Sequence, residues 1–578
     1  MDPPAIYSLS IERFRCIKKL VWKPARGMNL ILGGGDAGKT TILEAIALLL
    51  SPAAGGTALD TDYYSRKVED GFSIQAVVSL PSESGITQQS KHFWPWQWDG
   101  EQAVIPTENA EGATQGEAVY CLQLQGTADM ELQYEILQPN GEPEHLSAGL
   151  RREIGLVRLT GDDRSDRDLR LVHGSALDRL LSDKTLRARL VSELAKTNPT
   201  DVLLDVPKQV LKELDAAFQR KNLPTELELA ITGGPGFSVA ALTGLTANRD
   251  GTRLPLASWG AGTRRFAALA IASQNQGEAP ITLVDEIERG LEPYRQRVLV
   301  ESLQEAKSQA FVTTHSACAI SAASNAALWY IDHDSNIGLL ASEEINRHKR
   351  SDPEAFLAKL TIVAEGITEA GFATVLLERS LGGPLQHFGI HVTDAHGHDS
   401  ALGLLEALCK AGMQFGAFID NEGRSPTRWA RLTDSFGGLL FRWQNGCTEE
   451  NVLRCTPNDR IHELLGEADK TGERLRALAD RLKTPDKTFS VLAATAGERL
   501  KAVVRDAALG EVPADVTDDR RRFESHKKLF FKSFEGGCEL ATKVFALSIW
   551  PDLKNELMPF CNAVRKAVRL SEISDIEP

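Results

Sequence analysis

Nowhere does the chain reach the roughly 18 uninterrupted apolar residues that a membrane-spanning helix needs, so a helical membrane protein is excluded as a reading. The acidic start Met1-Asp2-Pro3-Pro4 lacks the charge and apolar stretch of a signal peptide, and a cytoplasmic location is expected. Positive charge is also short: 65 Lys and Arg against 79 Asp and Glu leave a net charge of −14, which argues against coating nucleic acid but leaves room for a local basic groove. The eight cysteines (Cys16, Cys121, Cys318, Cys409, Cys447, Cys455, Cys538, Cys561) contain no Cys-x-x-Cys pair. Neither a zinc site nor a disulfide framework is indicated, and they are expected as buried fillers. Repeats and low-complexity tracts are missing too. What is there is 578 residues, 42% of them hydrophobic, enough for three or four packed domains and too apolar for a disordered chain.

The first stretch reads strand, loop, strand, Gly-rich loop, helix, with Met28–Leu32 as a buried strand and Thr40–Leu50 as the helix. Between about Phe72 and Gln138 alternating segments such as Ser73–Leu80 and Leu122–Gln125 predict antiparallel strands. Trp94, Trp96 and Trp98 lie in this region and are expected to cover a small sheet rather than stack on bases. From Asp166 to Lys221 the period turns helical: Ala176, Leu177, Leu180 and Leu181, then Leu186, Leu190 and Leu194, then Val210, Leu211, Leu214 and Phe218. This predicts a helical insertion and a candidate dimer contact. The α/β pattern returns from about Glu226, the charged run Asn346–Pro353 reads as a linker, and a second α/β pattern follows. The expected domains are residues 1–165, an insertion 166–225, 226–345 completing the first domain, and 346–578.

Gly33-Gly34-Gly35-Asp36-Ala37-Gly38-Lys39-Thr40 fits G-x-x-x-x-G-K-[ST] between a strand and a helix, the setting of a phosphate-binding loop. Gly33, Gly35 and Gly38 let backbone N–H groups turn to the phosphates, Lys39 reaches the outer phosphates of ATP, and Thr40, with Thr41 beside it, faces Mg²⁺. The strand Ile281–Val284 ends in Asp285-Glu286, assigned to metal and to the general base. Ser258-Trp259-Gly260-Ala261-Gly262 lies about two dozen residues earlier, opening a helix near Thr263, and His315 follows the strand Ala310–Val312. In this order they resemble the signature and His switch of ABC-type ATPases, and Ile11–Arg15 resembles the start of RecF-like and SMC-like heads. The resemblance implies ATP sandwiched between two heads, with Ser258 and Gly260 of one closing over the phosphates held by the other's Lys39 and His315 near the outermost phosphate.

In the second half, apolar strands end in acids. Leu360–Ala364 runs into Glu365, with Glu369 a turn into the next helix; Phe388–Thr393 ends at Asp394; Gly416–Ile419 ends in Asp420-Asn421-Glu422. Carboxylates at the carboxyl ends of neighbouring strands converge in one crevice, and such a group repels itself unless Mg²⁺ or Mn²⁺ neutralises it. Glu450, in Cys447–Asn451, is a weaker candidate. The late basic stretch holds Arg520, Arg521, Arg522, Lys527 and Lys528, readable as a solvated helix, and Lys532 alone among aromatics before Gly536-Gly537.

The acids resemble the Toprim arrangement, in which the first Glu is an acid/base residue and a later D-x-D binds metal; here Asp420-Asn421-Glu422 gives D-x-E. An ABC-type ATPase joined to Toprim resembles OLD (overcoming lysogenization defect) nucleases, most nearly their class 2, which includes the Gabija anti-phage nuclease. This resemblance, over nearly the whole chain, implies a two-metal site on Glu365, Glu369, Asp420 and Glu422, with Asp394 a further candidate. It also implies a transition-state role for Lys532, DNA as substrate, a homodimer or tetramer, and a UvrD-like helicase as a partner.

The expected function is therefore an ATP-regulated, metal-dependent DNA endonuclease. The alternative is a DNA-clamping ATPase whose second half only binds. A topoisomerase needs a nucleophilic tyrosine, and all seven tyrosines (Tyr7, Tyr63, Tyr64, Tyr120, Tyr134, Tyr294, Tyr330) precede the acidic half.

Overall fold

The structure, a computed structural model, describes residues 3–52, 57–80, 95–106, 117–159, 168–172, 175–181, 200, 203–231, 243–273, 281–332, 334–411, 415–466, 471–514, 516–517 and 519–577. It divides into two units, Met1–Leu339 and Leu340–Pro578.

In the first unit a mostly parallel sheet runs in the order Leu156–Leu159, Ile281–Val284, Ala310–Thr313, Met28–Leu32, Ala327–Ile331, with Ile337–Leu339 antiparallel at the edge. Its central strands Ile281–Val284, Ala310–Thr313 and Met28–Leu32 are buried along their whole length and mostly apolar, because both faces are covered. A second, antiparallel sheet contains Ile6–Phe14, Ile17–Trp22, Phe72–Val78, Glu117–Gly126 and Leu132–Leu137. Along Phe72–Val78 buried and less buried residues alternate, the mark of one core-facing side. The helix Lys39–Leu50 buries Ile42, Leu43, Ile46, Leu49 and Leu50 in the core that joins the two sheets.

Trp96–Trp98 is a short strand between Glu117–Gly126 and Ala103–Val104; Trp98 packs on Tyr7 and the Trp96 indole donates to Leu137 O, so both cover a sheet, while Trp94 lies outside the described residues. Of the helical stretch, Ala176–Leu181 and Asp205–Arg220 are described, with Leu177, Leu180, Leu211, Leu214 and Phe218 buried. Leu186, Leu190 and Leu194 fall outside the described residues.

The second unit is built on four parallel strands ordered Ile390–Asp394, Leu360–Ala364, Gly416–Ile419, Leu440–Arg442. Phe388, expected to open a strand, sits in a one-turn helix, and pairing starts at Ile390 after Gly389 turns the chain with a φ of 71°. The expected linker is a helix, Glu343–Ser351. Its charges are terminal devices: the Ser342 hydroxyl accepts from Ile345 N, Glu343 and Glu344 stand in the first turn, and Lys349 and Arg350 in the last, each sign matching the helix dipole. The cysteines also depart from expectation, since Cys447 and Cys561 are buried, Cys16 is exposed and the others are half-buried.

Two glycines set the chemistry of this unit by allowing close helix contact. The helix Ile367–Leu381 meets Phe534–Ala546 where a Cβ on Gly371 would strike Phe534 O and a Cβ on Gly537 would strike Thr368 O. The Thr368 hydroxyl donates to Phe531 O at 3.0 Å. This contact carries Lys532 to the first turn of the helix that bears Glu369.

Candidate functional site

In the first unit, Gly38 caps the Lys39–Leu50 helix with a left-handed φ of 97°, a backbone turn that favours glycine. Gly33 has a φ of 152° and no room for a side chain against Ile331 O. Lys39 is buried and donates to Gly33 O at 2.9 Å and Gly34 O at 2.8 Å. Burial lowers its pKa against the pull of Asp285, Asp36 and Glu288. The Thr40 hydroxyl donates to Asp285 Oδ1 at 3.1 Å, and Thr313 donates to the same oxygen at 2.6 Å. The loop threonine and the strand-end aspartate thus share one point, as two ligands of a single nucleotide-bound Mg²⁺ must. Thr41 differs: it is buried with its hydroxyl 3.1 Å from Cys16 Sγ.

Glu286 takes a φ of 47° and forms an ion pair with Arg289 at 3.5 Å. Buried Arg265 fixes this turn by donating to the carbonyls of Asp285, Glu286 and Arg289. Sequence reading missed Glu288, whose two oxygens accept from Thr314 Oγ1 at 2.7 Å and His315 N at 2.8 Å and so hold the His315 backbone while its side chain is exposed. Ser258 and Gly260 are exposed at the start of the helix Ala261–Ser273, which begins two residues before the expected Thr263.

The second unit gathers its acids at the carboxyl ends of its strands. Glu365, Glu369, Asp420 and Glu449 are 8%, 4%, 6% and 4% exposed, a degree of burial unusual for carboxylates. Asp420 N donates to Glu365 Oε2 at 3.2 Å, and Asp420 Oδ1 accepts from both the N and Oγ1 of Thr448, at 3.0 and 3.1 Å. Burial and then Glu422 push the Glu365 carboxyl up to about 7. Burial, Glu369, Glu449 and Glu365 hold Asp420 well above the usual carboxylate range, and burial with Glu449 raises Glu369. Lys532 Nζ lies 2.7 Å from Glu449 Oε1; burial would lower its pKa, but Glu449 and Glu369 carry it well upward.

One positive charge among four buried acids leaves a negative excess, and Glu369 Oε1 is buried without a hydrogen-bond partner. Oxygen-rich donors in excess of nearby positive charge fit a hard divalent cation. One oxygen each of Asp420 and Glu449 and the Cys447 sulfur lie within 4.8 Å of one another. Glu422 is exposed and pairs with Arg424 at 3.2 Å, at the rim of this cluster. Asp394 spends its oxygens on its own turn, accepting from His396 N at 2.7 Å and facing His396 Nδ1 at 3.0 Å.

Glu449 is a member that sequence reading passed over in favour of Glu450. Adjacent helix residues point about 100° apart. Glu450 accordingly faces the other way, accepting from Cys447 N and approaching Arg505 at 3.9 Å. The available signal was the short strand Leu440–Arg442, whose exit runs into this helix as the other strands run into their acids. Arg520, Arg521, Lys527 and Lys528 are exposed, as a solvated face requires, and Arg522 pairs with Asp480 at 2.6 Å.

Residues 143–321 match the family described as "AAA domain, putative AbiEii toxin, Type IV TA system", and residues 8–84 match another AAA domain family. The DNA replication and repair protein RecF of Teredinibacter turnerae is 30% identical over 113 residues, 19% of this chain. The chain covers 29% of that protein's length. Among solved structures, an Smc head bound to the C-terminal winged-helix domain of ScpA is 17% identical with a TM-score of 0.38, covering 59% of this chain and 99% of its own. The recombination mediator RecF with a bound ATP analogue is 15% identical with a TM-score of 0.36, at the same coverage. Over residues 8–84 and 143–321 the chain is thus similar to AAA-type ATPase domains, with a local likeness to RecF over 113 residues.

Proposed function

We propose that this protein is an ATP-regulated, divalent-metal-dependent DNA endonuclease of the OLD type, whose nuclease centre is the Toprim-like sheet of residues 340–578. The observation that carries this reading is the Lys532 ammonium set 2.7 Å from Glu449 within a buried group of carboxylates at the ends of parallel strands. Glu365, Glu369, Asp420 and Glu422, joined by Glu449, hold two Mg²⁺ or Mn²⁺ ions. Bound there, such ions activate a water and steady the leaving oxygen of a phosphodiester. Glu365, at the end of the first strand, is also the acid/base residue that the Toprim resemblance implies. Lys532 supplies positive charge to the phosphate as negative charge builds on it. The exposed Arg520, Arg521, Lys527 and Lys528 grip backbone phosphates without reading sequence.

The ATPase domain regulates this centre in a homodimer or tetramer, with Ser258 and Gly260 of one copy closing over the nucleotide on another. A two-metal centre needs no ATP for its chemistry, so ATP acts through geometry or DNA access. The test is supercoiled plasmid with and without Mn²⁺ and ATP, on the wild-type protein and Asp420→Ala. Cutting that needs Mn²⁺ and is lost in Asp420→Ala, with ATP hydrolysis retained, supports the reading. Equal cutting by the variant, or cutting in EDTA, removes it.

A further inference from the structure

His398 opens the helix His398–Lys410, directly after Gly397, whose N–H donates to Glu365 O at 2.7 Å. The same backbone bond that ties this turn to the first acidic strand end therefore brings the imidazole alongside the Glu365 carboxylate. His398 Nδ1 lies 3.6 Å from Glu365 Oε1. The ring is 7% exposed, and neither of its nitrogens has a hydrogen-bond partner. A buried polar ring left unpaired costs stability, so its persistence calls for a partner that this arrangement does not yet satisfy.

The ring is held in place by packing. Trp429, 1% exposed, meets it edge-on with centroids 5.6 Å apart, and Arg442 lies over Trp429 at 5.4 Å from the indole centroid. Arg442 in turn donates to Asn421 Oδ1 at 2.6 Å, next to Asp420. The imidazole is thus fixed between a rigid aromatic wall and one oxygen of Glu365, whose other oxygen already accepts from Asp420 N. A small rotation of the carboxylate brings Oε1 within hydrogen-bond distance of Nδ1.

We propose that His398 is a positioning residue for Glu365: its Nδ1–H donates to Glu365 Oε1 and fixes the carboxylate in the orientation that holds a divalent cation. The inference rests on the metal site under Proposed function. It assigns His398 no contact with substrate. Partners that orient a metal-ligating group typically set affinity by ten- to a hundredfold.

The test is Mn²⁺ binding to the full chain without nucleotide, followed by calorimetry at fixed pH, in wild type, Asp420→Ala, His398→Ala, His398→Asn and His398→Gln. The site is the binding that Asp420→Ala loses. His398→Ala should weaken that binding about tenfold or more. His398→Asn, whose amide nitrogen stands where Nδ1 stands, should restore most of it, and His398→Gln, which places its amide at Nε2, should not. A merely structural role would not separate Asn from Gln. Thermal melting of each variant without metal identifies any that does not fold, and the Asn–Gln pair then decides by itself. Wild-type affinity in His398→Ala, or equal affinities in the Asn and Gln variants, overturns the inference and leaves the metal site standing. A wild-type protein with no Mn²⁺ site that Asp420→Ala removes overturns both.

Discussion

Lys532 and Glu449 face each other at 2.7 Å although they come from helices and turns more than eighty residues apart, and Glu449 is almost wholly buried. The pairing is set from two sides. The Gly371 and Gly537 contact seats the Lys532 segment on the Glu369 helix, while Thr448, bonded to Asp420, turns Glu449 inward. Lys532→Ala removes the cation and leaves the acids facing one another. Cutting should fall about a hundredfold or more while ATP hydrolysis stays within about twofold. Plasmid nicking and phosphate release, measured on the same preparation, check this; loss of both activities together would assign Lys532 to folding instead.

The raised carboxyls give a stability profile of definite sign. Glu365 releases its proton near 7 in the folded chain and near 4.5 in the unfolded one, so between these values the folded state binds more protons. Stability without metal should therefore fall as pH rises from about 4.5 to 7, with Glu369 and Asp420 acting in the same direction. Cations that neutralise the cluster should reverse the trend, so Mn²⁺ should raise the melting temperature more at pH 8 than at pH 5.5. A metal effect that is larger at the lower pH would contradict the electrostatic account.

Arg474 holds the Lys532 loop from beneath. It is 0% exposed, and its guanidinium donates to Leu465 O, Leu529 O, Phe530 O and both oxygens of Glu539. Arg474→Met would leave Glu539 and three carbonyls short of a donor. Glu539 keeps the Lys543 ammonium at 2.9 Å and is a quarter exposed, so the loss comes chiefly from the buried carbonyls left without a donor, about 1–3 kcal/mol. Urea unfolding of the variant, followed by fluorescence, should show a loss of that order in the transition of the second unit.

These arrangements explain which parts of the site could be read from the sequence. Gly33–Thr40, Asp285, Glu365 and Asp420 were legible because each sits where an apolar strand stops, a position that periodicity marks. Glu449, Glu288 and His398 were not, because each acts through a neighbour in space that the sequence keeps distant: Lys532, His315 and Glu365. Asn346–Pro353 misled for a related reason, since charges that match a helix dipole resemble those of a linker until Ser342 is seen to cap the turn.

The Thr40–Asp285 contact predicts how the two activities separate. The Thr40 hydroxyl and the Asp285 carboxylate meet at 3.1 Å in the first unit, together with Lys39, and they share no residue with the acid cluster. Lys39→Ala removes the ammonium that reaches the phosphates, so ATP binding and hydrolysis should be lost. Metal-dependent cutting should persist at some level, because the cluster of Glu365, Glu369, Asp420 and Glu449 is intact, but it should no longer respond to ATP. Fluorescent-nucleotide binding and plasmid cutting over a range of ATP concentrations measure the two effects. If Lys39→Ala abolished cutting under every metal and nucleotide condition, with light scattering showing the same assembly as wild type, regulation and chemistry would be inseparable and the division of labour proposed for the two units would fail.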